Sequence, residues 1–174
     1  LPRLVSPGLV LALFAVAFRA AVLFTPASLS DDMYRYVWDG RVQARGINPY
    51  RHAPDAEELR PLRDASWEKI NHREVPTIYA PLTEAVFFLS ASAGCGQIGL
   101  KAIFCLLDLA LCVALIDLLR RNGKAPWLAA VYAWNPLVVI EVASSGHADP
   151  LAVAESHRSN FHFHRVPDIG AGGS

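Results

Sequence analysis

Two long apolar runs on either side of a charged middle narrow the folds open to this chain more than any motif does. Residues 4–24 are nearly continuous Leu, Val, Ala and Phe, with Arg19 as the one charge, and residues 100–119 carry only Lys101, Asp108 and Asp117. At about 1.5 Å per residue, each run is long enough to cross a hydrocarbon layer of about 30 Å. Most charged residues lie between positions 31 and 74, so an apolar fraction of 53 % and a net charge of zero describe neither half well. Backbone inside lipid must satisfy its own hydrogen bonds. The expected fold class is therefore all-α: a multi-pass helical membrane protein with a long loop carrying interfacial helices after the first transmembrane helix.

Residues 4–24 are read as a retained anchor rather than a signal peptide, because the run exceeds a typical h-region and more apolar segments follow. Residues 81–93 hold Glu84 and reach only about 20 Å as a helix, so they form a short transmembrane or re-entrant segment. Residues 126–154 contain Pro136 and Pro150, which predict a broken span. Residues 1–154 thus read as one membrane domain, the N-terminal part of a polytopic protein. Residues 155–174 turn abruptly polar, including His157, His162 and His164, and read as a disordered or frame-shifted tail. Arg120, Arg121 and Lys124 favour the cytoplasmic side. If residues 4–24, 81–93 and 100–119 all cross, loop 27–78 shares that side; otherwise residues 81–93 do not fully cross. The loop holds eight Lys/Arg and nine Asp/Glu, which does not decide the matter.

Within the loop, Ser30 is a good N-cap, Asp31 and Asp32 suit a first turn, and Gly46 suits a C′ position, which predicts a helix of about fifteen residues. Tyr34, Trp38, Val42 and Arg45 share a face, expected to turn its aromatics towards lipid. Asp55 is expected to cap a short helix through Leu59, and Pro61 to open another running through Trp67 to Ile70.

Adjacent carboxylates at a membrane surface suggest an enzyme that handles a polar substrate carried on a lipid. Asp31 and Asp32 would point about 100° apart on a helix, so one contacts the reacting group as a base while the other caps amides or binds an ion. The residues name no cofactor; a divalent cation is the candidate for such an ion. Helix capping alone would account for the pair equally well, since acids there are stabilising by about 0.3–1 kcal/mol. Arg35 and Arg41 suit phosphate oxygens, or a solvated face. Trp38, with Tyr34 and Tyr36, could stack on a sugar or sit as an interfacial aromatic. His147 and Asp149 lie two residues apart beside an apolar segment, and Glu84, Asp108 and Glu141 either line a polar cavity or pair with Arg19 or Lys101. Cys95, Cys105 and Cys112 lack metal-binding spacing and read as packing residues. No basic tail or motif points to nucleic acid.

Four blocks carry a family resemblance: Ser30-Asp31-Asp32-Met33-Tyr34-Arg35-Tyr36-Val37-Trp38-Asp39-Gly40-Arg41, Gly46-Ile47-Asn48-Pro49-Tyr50, Ile78-Tyr79-Ala80-Pro81-Leu82-Thr83, and Trp134-Asn135-Pro136-Leu137 followed by Ser145-Gly146-His147-Ala148-Asp149. In these the chain resembles C-type membrane glycosyltransferases that use polyprenyl-phosphate sugars, in their bacterial mannosyltransferase-like branch. The resemblance covers roughly residues 4–154. It implies transfer of a hexose, mannose in that branch, from a polyprenyl phosphate to a hydroxyl of a glycan or glycolipid acceptor, with inversion. It implies a multi-pass protein of the bacterial plasma membrane, with Asp31 and Asp32 at the position of the family's acidic motif. Family members are longer, with many more transmembrane helices. A transporter segment, whose inverted repeats are not visible here, and an inactive truncated remnant are the other two readings.

Overall fold

The computed structural model describes residues 6–27 and 30–148; the tail with its histidines, and Asp149, lie outside the described residues. Among the described residues every regular element is helical: α1 (Pro7–Val22), α2 (Asp32–Ala44), α3 (Pro81–Ser92), α4 (Gln97–Arg121), α5 (Ala130–Ala133) and α6 (Pro136–Val139). Short 3-10 turns occupy Glu57–Leu62, Trp67–Lys69 and Pro126–Ala129, and a π-helical stretch, Ile140–Ser145, prolongs α6. These elements sort into an apolar helical layer and a polar cap.

The layer contains α1, α4 and the bent pair α5–α6. α1 opens at Ser6, whose Oγ accepts the Leu9 amide at 3.2 Å, with Pro7 in the first turn. Its 16 residues measure about 24 Å. Leu11, Ala15 and Arg19 recur every fourth residue and face inward, while Leu9, Leu13 and Val16 look outward. α4 is long and apolar enough to cross a membrane, with 25 residues and a mean hydropathy of 2.6. Only 22 % of that apolar stretch is buried, whereas the core helix of a soluble protein would be largely covered. Cys105 and Cys112 are free and buried on its inner side.

Pro136 explains the bend. It has no amide to donate, and segments Pro126–Ala133 and Pro136–Ser145 meet at 58°. Asn135 caps the new start by accepting the Leu137 amide at 2.9 Å. Arg19 donates to the Ala133 carbonyl at 3.0 Å and to Ala15 O at 2.9 Å. Its Nε also meets Asp108 Oδ2 at 2.6 Å, and the Tyr132 hydroxyl donates to Asp108 Oδ1 at 2.6 Å. Of the two partners open to Asp108, the fold selects Arg19. Lys101 donates instead to the Thr25 carbonyl at 2.7 Å. One buried ion pair therefore fastens α1, α4 and the helix break together.

The cap consists of α2, α3 and the connecting loop. α2 ends as expected: Gly46 takes φ +76°, its amide bonds Gln43 O at 2.8 Å, and the Ile47 amide bonds Val42 O at 3.2 Å. At Gly40 the two helices touch, since a Cβ there would lie 2.3 Å from Phe87 O. The expectation that Trp38 and Val42 face lipid is overturned. They are 2 % and 1 % exposed and pack beneath the loop against Leu59 and Ile70. Met33 and Tyr36 are buried on another face against Phe87, Leu100 and Phe104, so α2 is covered on two sides. Two details of the loop also differ. Glu57–Leu62 starts after Ala56 without a side-chain cap, and Pro61 lies inside it, with Trp67–Lys69 as a separate turn. That turn is fixed by Asp64, whose Oδ1 accepts the Ser66 and Trp67 amides at 3.0 and 3.1 Å. α3 spans 12 residues, about 18 Å, too short to cross a bilayer by itself.

Candidate active site

Asp32 opens α2 and receives no direct ion-pair neutralisation from its own helix. Its amide donates to Ser30 Oγ at 3.0 Å, while Asp31 occupies the cap position without a side-chain bond and is exposed. The helical period brings Arg35 and Tyr36 to the same side as Asp32. A cavity of about 120 Å³ opens there, lined by Asp32, Arg35, His72, Val75, Ile78 and Tyr79. His72 holds φ +50°, an uncommon left-handed backbone for a residue other than glycine. Burial and the nearby Asp32 charge push the Tyr79 phenol up to about 12, and burial raises Tyr36 as well.

His147 approaches Asp32 from the apolar layer. It follows Gly146, whose φ of +74° turns the chain out of the π-helical stretch. The left-handed φ favours glycine here, and a Cβ at Gly146 would lie 2.1 Å from Met33 Cε, so that the methionine end would have to move. The Thr25 and Ser144 hydroxyls, 2.8 Å apart, tie this end of the layer to the end of α1. His147 Nε2 stands 3.9 Å from Asp32 Oδ2, and its Nδ1 contacts Glu141 Oε2. Both Asp32 and His147 keep part of their side chains open, at 42 % and 22 %. A partly exposed carboxylate beside an imidazole can take a proton from a bound hydroxyl and hand it on.

Behind this site lies a buried cluster of charges. Arg35 Nε forks to both oxygens of Asp39 at 2.9 Å, and Nη2 donates to Val75 O at 3.0 Å. Thr77 donates to Glu84 Oε1 at 2.6 Å, and Gln43 donates to Glu84 Oε2 at 2.6 Å. Burial, with the neighbouring Asp39 charge adding to it, pushes the Glu84 carboxyl up to about 7. Asp39 is also raised by burial, although Arg35 pulls it down. Two carboxylates sharing one guanidinium retain one proton between them more easily than either would alone.

The structure thus brings together Asp32, Arg35 and His147 from the sequence candidates. Arg41 lies nine residues beyond Asp32, on the opposite side of α2 and about 13 Å along it. There it pairs with Asp64 at 2.6 Å, donates to Leu62 O at 2.6 Å, and covers the Trp38 ring at 5.7 Å. Neither Arg41 nor Trp38 lines the Asp32 cavity. Tyr79 was missed as a site residue, and Glu141, expected to line a polar cavity or pair with Arg19 or Lys101, meets His147 instead. Tyr79 sits inside a block already singled out as a motif, whereas nothing in the local sequence pairs Glu141 with His147. Among the described residues, no group of three or more His, Cys, Asp or Glu is placed to hold a metal ion.

A helical chain with a membrane-length helix and a carboxylate–imidazole site at the edge of its polar cap fits a membrane-associated transferase. A family model described as alpha-(1->6)-mannopyranosyltransferase, N-terminal domain, matches residues 6–157, and the chain belongs to that family. It is therefore a glycosyltransferase of a mannosyltransferase family, as the four sequence blocks implied, and the transporter reading falls away. No curated protein and no solved structure matches the chain.

Proposed function

We propose that this domain transfers a mannosyl group from a polyprenyl phosphate to an acceptor hydroxyl of a glycan or glycolipid with inversion, and that Asp32 is the base. The observation that carries this reading is the meeting of Asp32 with His147 beside a cavity at the edge of the cap. In the reaction the acceptor O–H proton passes to Asp32 as its oxygen bonds the sugar C1. The C1–O bond to phosphate breaks, and the polyprenyl phosphate leaves with that electron pair. Inversion follows because base and leaving group act on opposite faces of the ring. Arg35, on the cavity wall with its Nε held by Asp39, is assigned to the leaving phosphate. Asp31, exposed and without a side-chain contact at the cap, is the less suited of the two acids. Asp32→Asn is expected to lower mannosyl transfer in isolated membranes about 10²–10⁴-fold with insertion intact, and Asp31→Asn to leave most of it. Undiminished transfer in the Asp31/Asp32 double variant would remove the assignment.

The same reading places α1, α4 and the bent pair as crossings and α3 as re-entrant. Three facts favour this: α3 is too short, Thr25, Lys101 and Ser144 join three segment ends on the site's side, and Arg120, Arg121 and Lys124 mark the other end. The cap and site then face away from the cytoplasm. With the native cysteines replaced, a membrane-impermeant thiol reagent applied to whole cells is expected to label His52→Cys and spare Asn122→Cys; the reverse pattern would invert the topology.

A further inference from the structure

We infer that Glu141 is a positioning residue for this site: it grips His147 at two points and so presents Nε2 to Asp32. The inference rests on the reading of Asp32 as base. The first point is the backbone, where the His147 amide donates to the Glu141 carbonyl at 2.9 Å. The second is the side chain, where the Glu141 carboxylate meets Nδ1. On a regular α-helix, residues six apart lie about 240° apart around the axis and would not meet. Two local departures bring them together here. The helix widens into π geometry over Ile140–Ser145, and Gly146 then reverses the chain at φ +74°. Single π turns inside helices recur at functional sites. This one carries Glu141 near its start and delivers His147 just past its end.

The consequence is chemical. The Glu141 carboxylate lies against Nδ1 and takes no other hydrogen bond at Oε2, so it favours the neutral tautomer with the proton on Nδ1 and the lone pair on Nε2, the atom 3.9 Å from Asp32 Oδ2. A proton taken by Asp32 from the acceptor hydroxyl can then pass to Nε2, which leaves an imidazolium between two carboxylates and Asp32 ionised again. Glu141 touches neither sugar nor acceptor in this scheme. It fixes the tautomer and stabilises the charge, as the buried carboxylate does in a Ser-His-Asp triad.

The test is ¹⁵N NMR of the full chain in detergent micelles with ¹⁵N-labelled histidine, the His147 signal being assigned by its loss in His147→Gln. The native chain is expected to show neutral His147 as the Nδ1–H tautomer, and Glu141→Gln to move it to a mixture richer in Nε2–H. In membrane assays Glu141→Gln is expected to lower kcat for mannosyl transfer about 10–100-fold with KM for the donor little changed, and Glu141→Asp to recover part of it. A tautomer indifferent to Glu141→Gln overturns the proposal. So does a shifted tautomer with full kcat. Transfer that survives Asp32→Asn would instead remove the base assignment, and the NMR signal would still decide whether Glu141 holds His147.

Discussion

Two buried Arg–Asp pairs hold this molecule together, and they are built differently. In the apolar layer, Arg19 and Asp108 lie 89 residues apart in the chain. Their remaining hydrogen-bonding groups are matched by Ala15 O, Ala133 O and the Tyr132 hydroxyl. In the cap, Arg35 and Asp39 are neighbours on one helix, and a second carboxyl, Glu84, joins them. One pair is charge-balanced and links three segments. The other carries a surplus acid, Glu84, whose pKa burial raises to about 7. Buried charge can therefore close a structure or leave it responsive, depending on whether the count of ionised groups comes out even.

The comparison can be broken most severely at Asp108. Asp108→Ala leaves a guanidinium buried without its counter-charge, and a loss of about 3–5 kcal/mol is expected in thermal unfolding in detergent. Replacing Arg19 and Asp108 together by Leu is expected to recover most of that loss, because no unpaired charge remains. A double variant as unstable as the single one would show that the carbonyl contacts, not the ion pair, carry the clamp.

A smaller and pH-dependent effect sharpens the other side. Glu84 is raised from 4.5 to about 7, so the folded protein binds a proton that the unfolded chain releases. The sign follows: its contribution to stability is complete below pH 4.5 and is lost as pH rises through 7. Glu84→Gln, which keeps the bonding shape without the titration, is expected to flatten this decline, and Arg19→Gln to leave it in place. A wild-type melting temperature that is constant between pH 4.5 and 7 would contradict the account.

Local chemistry was the legible part of this fold. Gly46 ended α2, Pro136 broke the last apolar segment, and the segment holding Glu84 formed a helix of only 12 residues, each because a backbone rule acts within a few residues. Of the site, Asp32 and His147 were visible as motif residues, since buried or interfacial ionisable groups are costly unless used. Partnership was not legible. The face that carries Tyr34, Trp38 and Val42 is amphipathic by period, and the period is silent on whether lipid or a folded-back loop covers it. Here Leu59 and Ile70 cover it. In the same way, Glu141 and His147 lie on different faces in any regular helix and meet only because the helix is irregular.

Pro136 also acts at a distance from its own turn. The stretch Pro136–Ser145 leaves the bend at the proline as an arm, with that bend as its hinge point and His147 just past its tip. On an arm of about 15 Å, a change of 10° at the hinge would sweep the tip through about 2–3 Å. Reactivity falls off steeply over displacements of about 1 Å. Arg19, by gripping the Ala133 carbonyl on the near side of the hinge, thus sets the aim of a side chain it never touches.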